Sequence, residues 1–131
     1  MSTLKVNTIQ DSSGSNASTT EQINQGRAKV WIHFDGQDTV AIRDSFNVSS
    51  LTDNGTGDYT YSFTSGMSNT NYAICATAAN TSAGQPVVSA CPANDEQTTS
   101  QFNVEQGYTT NTSSYSNFDS EDYVSIFGDL A

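Results

Sequence analysis

The stretch DNGTGD, residues 53–58, contains carboxylate and amide side chains of the kind that bind metal ions. Calcium loops place carboxylate or amide oxygens at their first, third and fifth positions. Here those positions hold Asp53, Gly55 and Gly57, so two of the three have no side-chain oxygen. Asn54-Gly55 is also a strong signal for a type I′ turn, because both residues tolerate positive φ. The stretch therefore favours a hairpin turn, and we predict no metal site.

His33 is the single histidine and the obvious candidate for a general base near neutral pH. Acyl transfer would also need a nucleophile and an orienting group. His33 shares a predicted strand face with Lys29 and Trp31, which is typical of an exposed or interface aromatic stripe. Its spacing from Cys75 and Cys91 matches no metal-binding pattern. We predict that the chain is not an enzyme and uses no cofactor.

Two other kinds of site receive little support from the sequence. The acidic group Asp119, Glu121 and Asp122 could collect a divalent cation, but the pattern favours a solvated charged loop. The glycine-rich residues 55–57 have no lysine and no strand-then-helix context, as a phosphate loop would require. Glycosidases use a pair of carboxylates that the fold brings together, and the sequence singles out no such pair. Hydrolysis thus stays a third alternative.

Composition and charge exclude several functions. The 131 residues are enough for one compact core. A net charge of −10 and a pI near 4.1 disfavour binding to nucleic acid or to an anionic membrane. The sequence has no segment resembling a signal peptide or a membrane span, which predicts folding in cytosol. In that setting Cys75 and Cys91 are expected to be buried free thiols rather than a disulfide.

Residues 27–131 show the period-two alternation of half-buried β-strands, interrupted by turn residues. We predict seven or eight short strands in an all-β fold, an antiparallel β-sandwich or barrel with an extended N-terminal arm. The segment NYAICATAA is predicted to be a strand buried on both faces. Val40, Ile42, Phe102 and Val104 are predicted to face inward. Three further sets are each predicted to share one face of a strand: Ala28, Val30, Ile32 and Phe34; Tyr59, Tyr61 and Phe63; and Val124 and Ile126.

Residues 1–26 form a separate arm in this prediction. A short apolar alternation, Leu4, Val6 and Ile9, precedes the polar tract DSSGSNASTTEQ, which cannot build a core. A helix-capping pattern begins at Ser18, and Gly26 should end the helix after one or two turns. The arm is therefore expected to attach the chain to other chains, with residues 27–131 as the folded domain.

Several segments together resemble small structural proteins of marine tailed bacteriophages. They are TLKVNTIQD, GRAKVWIHFDG, FNVSSLTDNGTGDYTYSFTSGM, NYAICATAA and DYVSIFGD, and they span most of the chain. The resemblance implies a non-enzymatic β-structured module, often trimeric, located in the virion and made in the host cytoplasm. Residues 80–118 have no counterpart in the resemblance and are expected to hold a variable surface.

The leading prediction is a short trimeric tail fibre or appendage whose partners are other virion proteins of the tail or capsid. Its first alternative is a capsid decoration protein. The second is a lectin-like module for host-surface glycans, since exposed aromatic rings stack well on sugars. Its candidate recognition residues are Trp31, Tyr108 and Tyr115.

Overall fold

The computed structural model describes residues 1–79, 88–90, 97–109 and 114–131. Over these residues the chain forms eleven strands and one short helix, mostly as antiparallel β-structure. In chain order the elements are β1 (Thr8–Ile9), β2 (Ser18–Thr19), α1 (Thr20–Gly26), β3 (Val30–Asp35), β4 (Ala41–Phe46), β5 (Val48–Gly55), β6 (Asp58–Phe63), β7 (Ala73–Ala79), β8 (Val88–Ala90), β9 (Gln101–Thr109), β10 (Tyr115–Asn117) and β11 (Glu121–Phe127).

Two larger sheets form the domain. One has four strands in the order β4-β3-β11-β7, and the other has five strands built around β9. The strand β6 pairs with the first half of β9 and β10 with its second half. Glu105 of β9 pairs with both Asp58 of β6 and Ala90 of β8, so β8 lies along the opposite edge of β9. All these pairings are antiparallel, as predicted.

The inward faces of the two sheets pack against each other. Phe34 of the four-stranded sheet meets Tyr59 of the five-stranded sheet in an edge-to-face contact, with ring centroids 4.8 Å apart. The predicted all-β class, a sandwich or barrel, is therefore confirmed, although the described part of residues 27–131 contains nine strands where seven or eight were predicted. The buried apolar side chains of the described core are Val30, Ile32, Phe34, Tyr59, Tyr61, Phe63, Met67, Tyr72, Phe102, Val104, Val124 and Ile126.

The strand β4 departs from its predicted burial. Val40, just before the strand, is partly buried against the core, as its position in the alternation suggests. Ile42 was predicted to face inward as well, and it does pair with the buried Phe34 across β3 and β4. However, β4 is the last strand of its sheet, so nothing among the described residues covers its open side. Ile42 consequently remains 41% exposed.

The β5–β6 hairpin turns two residues later than Asn54-Gly55 predicts. Gly55 is still paired in the ladder, and Thr56 with Gly57 forms the two-residue loop. The Asp53 carboxylate accepts a hydrogen bond from the Gly55 N–H at 2.9 Å, and the register shifts between these two residues. Asn54-Gly55 therefore belongs to a β-bulge, and Gly57 provides the positive φ (67°) of the turn itself.

The arm contains more local structure than an extended segment. The predicted strand from Leu4 to Ile9 is reduced to β1, which pairs with β2. The helix α1 follows at once and ends at Gly26, as predicted. Thr19 caps it: the Thr19 hydroxyl accepts from the Gln22 N–H, and the Gln22 side chain accepts from the Thr19 N–H.

Lys29 was predicted to lie on the outer face of β3 with Trp31 and His33, but it is 2% exposed. Its ammonium donates to the backbone oxygens of Asn24 and Arg27 and to the Asn24 side-chain oxygen. These carbonyls belong to the end of α1, where a positive charge is favoured. Lys29 thus joins the arm helix to the first strand of the domain.

The strand β7 is exposed on one face and partly buried on the other, so the prediction of burial on both faces is wrong. The reason is its position at the end of the four-stranded sheet, where only the inner face meets the core. Cys75 lies on the outer face and is exposed, which also contradicts the predicted buried thiol. Cys91 and part of the predicted variable segment lie outside the described residues.

Candidate interaction surfaces

The arm presents its apolar side chains to solvent. Leu4 is 83% exposed, and Val6, Ile9 and Ile23 are also exposed. The helix α1 buries none of its own residues, so it has no apolar face against the domain. Apart from the Lys29 contacts, the arm reaches the domain through Gln25, whose amide donates to the Asp129 carboxylate at 2.7 Å. The three predicted assembly residues, Leu4, Val6 and Ile9, are thus accessible to another chain.

The outer face of the four-stranded sheet carries an aromatic pair. Trp31 of β3 and Phe46 of β4 are directly opposite each other in the ladder, and both are exposed. With Arg27 and Ala28 they line an open depression of about 370 Å³. Trp31 is therefore in a position to contact a partner or a sugar ring, but the other predicted recognition aromatics are not beside it.

Tyr108 and Tyr115 belong to the five-stranded sheet. Tyr115 pairs with Thr109 and Tyr108 pairs with Ser116, so the two tyrosines point to opposite faces of the β9–β10 pair. Tyr108 packs edge-to-face on Phe118, whereas Tyr115 is exposed. Burial, followed by the charge of Glu105, raises the pKa of Tyr115 above its usual value. The three predicted aromatics do not form one platform.

His33 lies in a mixed aromatic and ionic cluster on the same outer face as Trp31. Its ring stacks on Tyr123 with centroids 4.3 Å apart, and its Nε2 is 4.0 Å from a carboxylate oxygen of Glu121. Arg43 bridges the same Glu121 at 3.3 Å and Asp35 at 2.5 Å. This arrangement places an imidazole among carboxylates and a guanidinium, which suits polar recognition at a surface.

A polar groove of about 290 Å³ lies on the outer face of the five-stranded sheet. It is lined by Asn54, Asp58, Thr60, Gln101 and Asn103. The Asn103 amide donates to one Asp58 oxygen at 2.7 Å, and the Asn54 amide donates to the same oxygen at 3.1 Å. These bonds hold the carboxylate in one orientation. The sequence did not reveal this groove, because β9 is far along the chain from β5 and β6, the other two strands that line it.

Asn103 is the unusual member of this groove. Its side chain is only 5% exposed, and its Oδ1 has no hydrogen-bond partner among the described residues. A buried acceptor without a donor costs about 1–3 kcal/mol. Any N–H or O–H donor that reached Oδ1 would remove this cost, so the groove offers a hydrogen-bond acceptor to a polar ligand.

Asp119, Glu121 and Asp122 were predicted to form a solvated acidic loop, and this prediction is wrong for Asp119 and Asp122. Asp119 accepts hydrogen bonds from the Gly57 N–H at 2.6 Å and from the Tyr59 hydroxyl at 2.7 Å. Asp122 is fully buried on the inner face of β11. The turn of the β5–β6 hairpin is consequently fixed to the segment before β11. Burial and Asp119 together raise the pKa of Tyr59.

Burial also raises the pKa of Tyr61 well above its usual value, and the negative charge of Asp122 adds to this effect. Gln106 forms a third buried polar contact, in which its side-chain oxygen accepts from the N–H and hydroxyl of Ser120, both at 3.0 Å. These groups bind the two sheets to each other. Their position inside the sandwich indicates a structural role.

Over the described ranges, no helix is long and apolar enough to span a membrane, and no three His, Cys, Asp or Glu residues converge as metal ligands. Comparisons of the chain with protein-family models, curated proteins and solved structures found no match. Functional inference therefore depends on the surfaces of this chain and on the resemblance of its sequence segments.

Proposed function

We propose that this chain is a non-enzymatic structural protein of a tailed-phage virion, a short trimeric fibre or appendage that assembles through its N-terminal arm. The observation that carries the proposal is the exposure of Leu4, Val6 and Ile9 on an arm that packs little against its own domain. Apolar side chains displayed in this way are stabilised when another chain covers them. The virion setting and the trimer follow from the sequence resemblance.

Replacing Leu4, Val6 and Ile9 together by Asp should abolish self-association of the full chain. Burying each of these side chains at an interface stabilises it by about 1.5–3 kcal/mol, so the association constant should fall by about a thousandfold or more. Analytical ultracentrifugation over a concentration series measures the change. Circular dichroism checks that the β-domain remains folded, as expected for residues outside its core.

The matched control places Asp at Ser2, Thr3 and Asn7, three exposed polar positions of the same arm. This variant gains the same negative charge but keeps the apolar side chains, so its association should weaken far less than that of the first variant. Equal weakening by both variants would mean that charge, not apolar contact, drives association. A native chain that is monomeric throughout the series would refute the proposal.

The copy number in purified particles tests where such a protein is located. Quantitative mass spectrometry against the major capsid and tail proteins should find a count comparable with the few tail components. A count comparable with the major capsid protein would instead identify a head decoration protein. Absence from the particles would contradict both.

A second candidate function, glycan binding, is favoured by the polar groove around Asn103. Its groups are a carboxylate, a hydroxyl and three amides, which can bond to adjacent sugar hydroxyls. Asp58 is already oriented by two amide donors, so little ordering is needed on binding. Tyr115 stands exposed on the outward side of the same sheet and offers a ring for stacking.

For this function, a broad glycan array should give a reproducible ligand, and Asp58→Asn should reduce its affinity by about tenfold, the effect of losing one charge-assisted hydrogen bond. Thr52→Val is the control on the same sheet, since Thr52 is exposed on β5 outside the groove. Trp31→Ala tests the aromatic pair on the other sheet. If Trp31→Ala abolishes binding and Asp58→Asn does not, the glycan site lies at the aromatic pair and not in the groove. If no glycan on the array binds, the hypothesis is wrong.

A further inference from the structure

The strand β4 has an unused edge. It is terminal in the order β4-β3-β11-β7, so its second edge pairs with no strand of the described chain. Ile42 shares the inward face with Phe34 but is 41% exposed, because the sandwich is open on this side. Val40, just before β4, is only partly buried against the core. Such an edge can accept a further strand.

The arm has the alternation that this edge requires. Leu4 and Val6 have the same parity, so in an extended strand they point to one face while Lys5 points to the other. If the apolar pair faced inward beside Ile42, Lys5 would project on the outer face. Asp44 of β4 lies on that outer face, opposite His33, and is exposed.

The charges of the two segments are complementary. Residues 1–10 contain Lys5 and no acid. Taking this +1 from the net charge of −10 leaves −11 on residues 11–131. Arg43, the basic residue of β4, already pairs with Asp35 and Glu121, whereas the Asp44 carboxylate accepts a hydrogen bond from the neighbouring Ser45 N–H and has no ion pair within the described part of the chain. A lysine placed beside Asp44 would therefore meet an available carboxylate.

The terminal strands β7 and β5 fit the arm less well. The strand β7 contains no acidic residue, and its large apolar side chain, Ile74, is already partly buried. The strand β5 has Asp53, but its carboxylate accepts from the Gly55 N–H, and Leu51 is partly buried. The strand β4 combines an uncovered apolar side chain with an adjacent exposed acid.

We infer that residues 4–9 of one copy add as a strand to the free edge of β4 in a second copy. Leu4 and Val6 cover Ile42 at the open side of the sandwich, and Lys5 lies beside Asp44. This inference rests on the proposed assembly through the arm and identifies the surface that receives it. In a closed trimer each arm would then reach the next subunit in turn.

Disulfide trapping between separately labelled chains tests the arrangement. All chains carry Cys75→Ser and Cys91→Ser, one set also carries Val6→Cys, and the other carries Ile42→Cys. After mixing and mild oxidation, a covalent pair of chains should form. Lys5→Cys is the matched control, because its side chain faces away from Ile42, and its yield should be at least fivefold lower. Lys5→Cys should instead cross-link to Asp44→Cys.

A charge exchange provides a second readout that requires no cysteine. Lys5→Glu should weaken association about threefold, the effect of replacing an exposed ion pair by a repulsion, and adding Asp44→Lys should restore it. Combining the Lys5→Glu chain with Glu121→Lys should not restore it, since Glu121 already pairs with Arg43.

The outcomes separate this inference from the proposed function. If association depends on Leu4, Val6 and Ile9 but neither trapping nor charge exchange involves β4, the β4 site is wrong and assembly through the arm stands. If association does not depend on those side chains, both the β4 site and the proposed assembly through the arm are wrong. If Val6→Cys and Ile42→Cys placed in the same chain cross-link within that chain, the arm covers its own domain and the exchange between copies is refuted.

Discussion

The free energy of unfolding should fall steeply above about pH 10, by about 2.7 kcal/mol per pH unit from Tyr59 and Tyr61 together. Both side chains are buried in the core. Burial is the main cause that raises the pKa of each phenol, and the carboxylates of Asp119 and Asp122 reinforce it. As the pH rises, the folded chain therefore keeps the protons of both phenols at values where the unfolded chain has already lost them.

The sign of the effect follows from this difference. An unfolded tyrosine has a pKa of about 10, and both folded values are higher. Below pH 10 both states are protonated, so the stabilisation is fully present. Above that pH the unfolded state binds fewer protons, and stability is lost at about 1.4 kcal/mol per pH unit for each phenol until the folded pKa is reached.

Urea unfolding at several values between about pH 9 and about pH 11.5 measures this slope. Tyr61→Phe should remove about half of this slope, because only one of the two buried phenols remains. The variant also lacks the hydroxyl at lower pH, but that loss does not depend on pH and leaves the slope unaffected. Tyr123→Phe is the matched control, because Tyr123 is 42% exposed on the outer face of β11 and its replacement should leave the slope unchanged. Identical slopes in the native chain and Tyr61→Phe would show that the buried phenols do not control alkaline stability.

Local patterns predict the inner faces of the strands well. Tyr59, Tyr61 and Phe63 are buried in alternation because a strand places every second side chain on one face. The same rule would have predicted Asp122, which has the parity of Val124 and Ile126 in β11. The charge of Asp122 suggested solvent exposure, but its position in the alternation determined its burial.

Contacts between distant segments limit the remaining predictions. Lys29 has the parity of an outward residue, yet the carbonyls at the end of α1 draw its ammonium inward. The polar groove depends on the β6–β9 register, which places Asp58 near Asn103 across a separation of 45 residues. No local signal identifies such a partner. The groove could therefore be recognised only once the strands were paired.

The β5–β6 turn shows why a strong local signal can lose to distant contacts. Asn54-Gly55 satisfies the preference of a type I′ turn, but the loop forms at Thr56 and Gly57. The Gly57 N–H donates to Asp119 across 62 residues at 2.6 Å, and the Gly57 oxygen accepts from the Gln106 N–H at 2.7 Å. These bonds fix the position of the turn relative to β9 and to the segment before β11.

Gly57→Ala should therefore destabilise the protein by about 3 kcal/mol or more, a magnitude typical of backbone strain combined with a steric clash. Gly57 has a positive φ of 67°, which an L residue adopts at a cost. An added Cβ would also lie 2.4 Å from the Gln106 oxygen and 2.9 Å from the Phe118 nitrogen. Both are backbone atoms, so relief requires movement of the chain and loss of the hydrogen bonds around Asp119.

Gly55→Ala separates these two causes within the same hairpin. Gly55 also has a positive φ, 141°, but a Cβ there would meet nothing within 4 Å. Its replacement should cost about 1–2 kcal/mol from conformation alone. The losses of stability of the two variants, measured by chemical denaturation, should differ by about 1–2 kcal/mol or more, because Gly57→Ala adds the steric clash. Equal losses would mean that the turn can move away from Gln106 and Phe118, and that Asp119 does not fix its position.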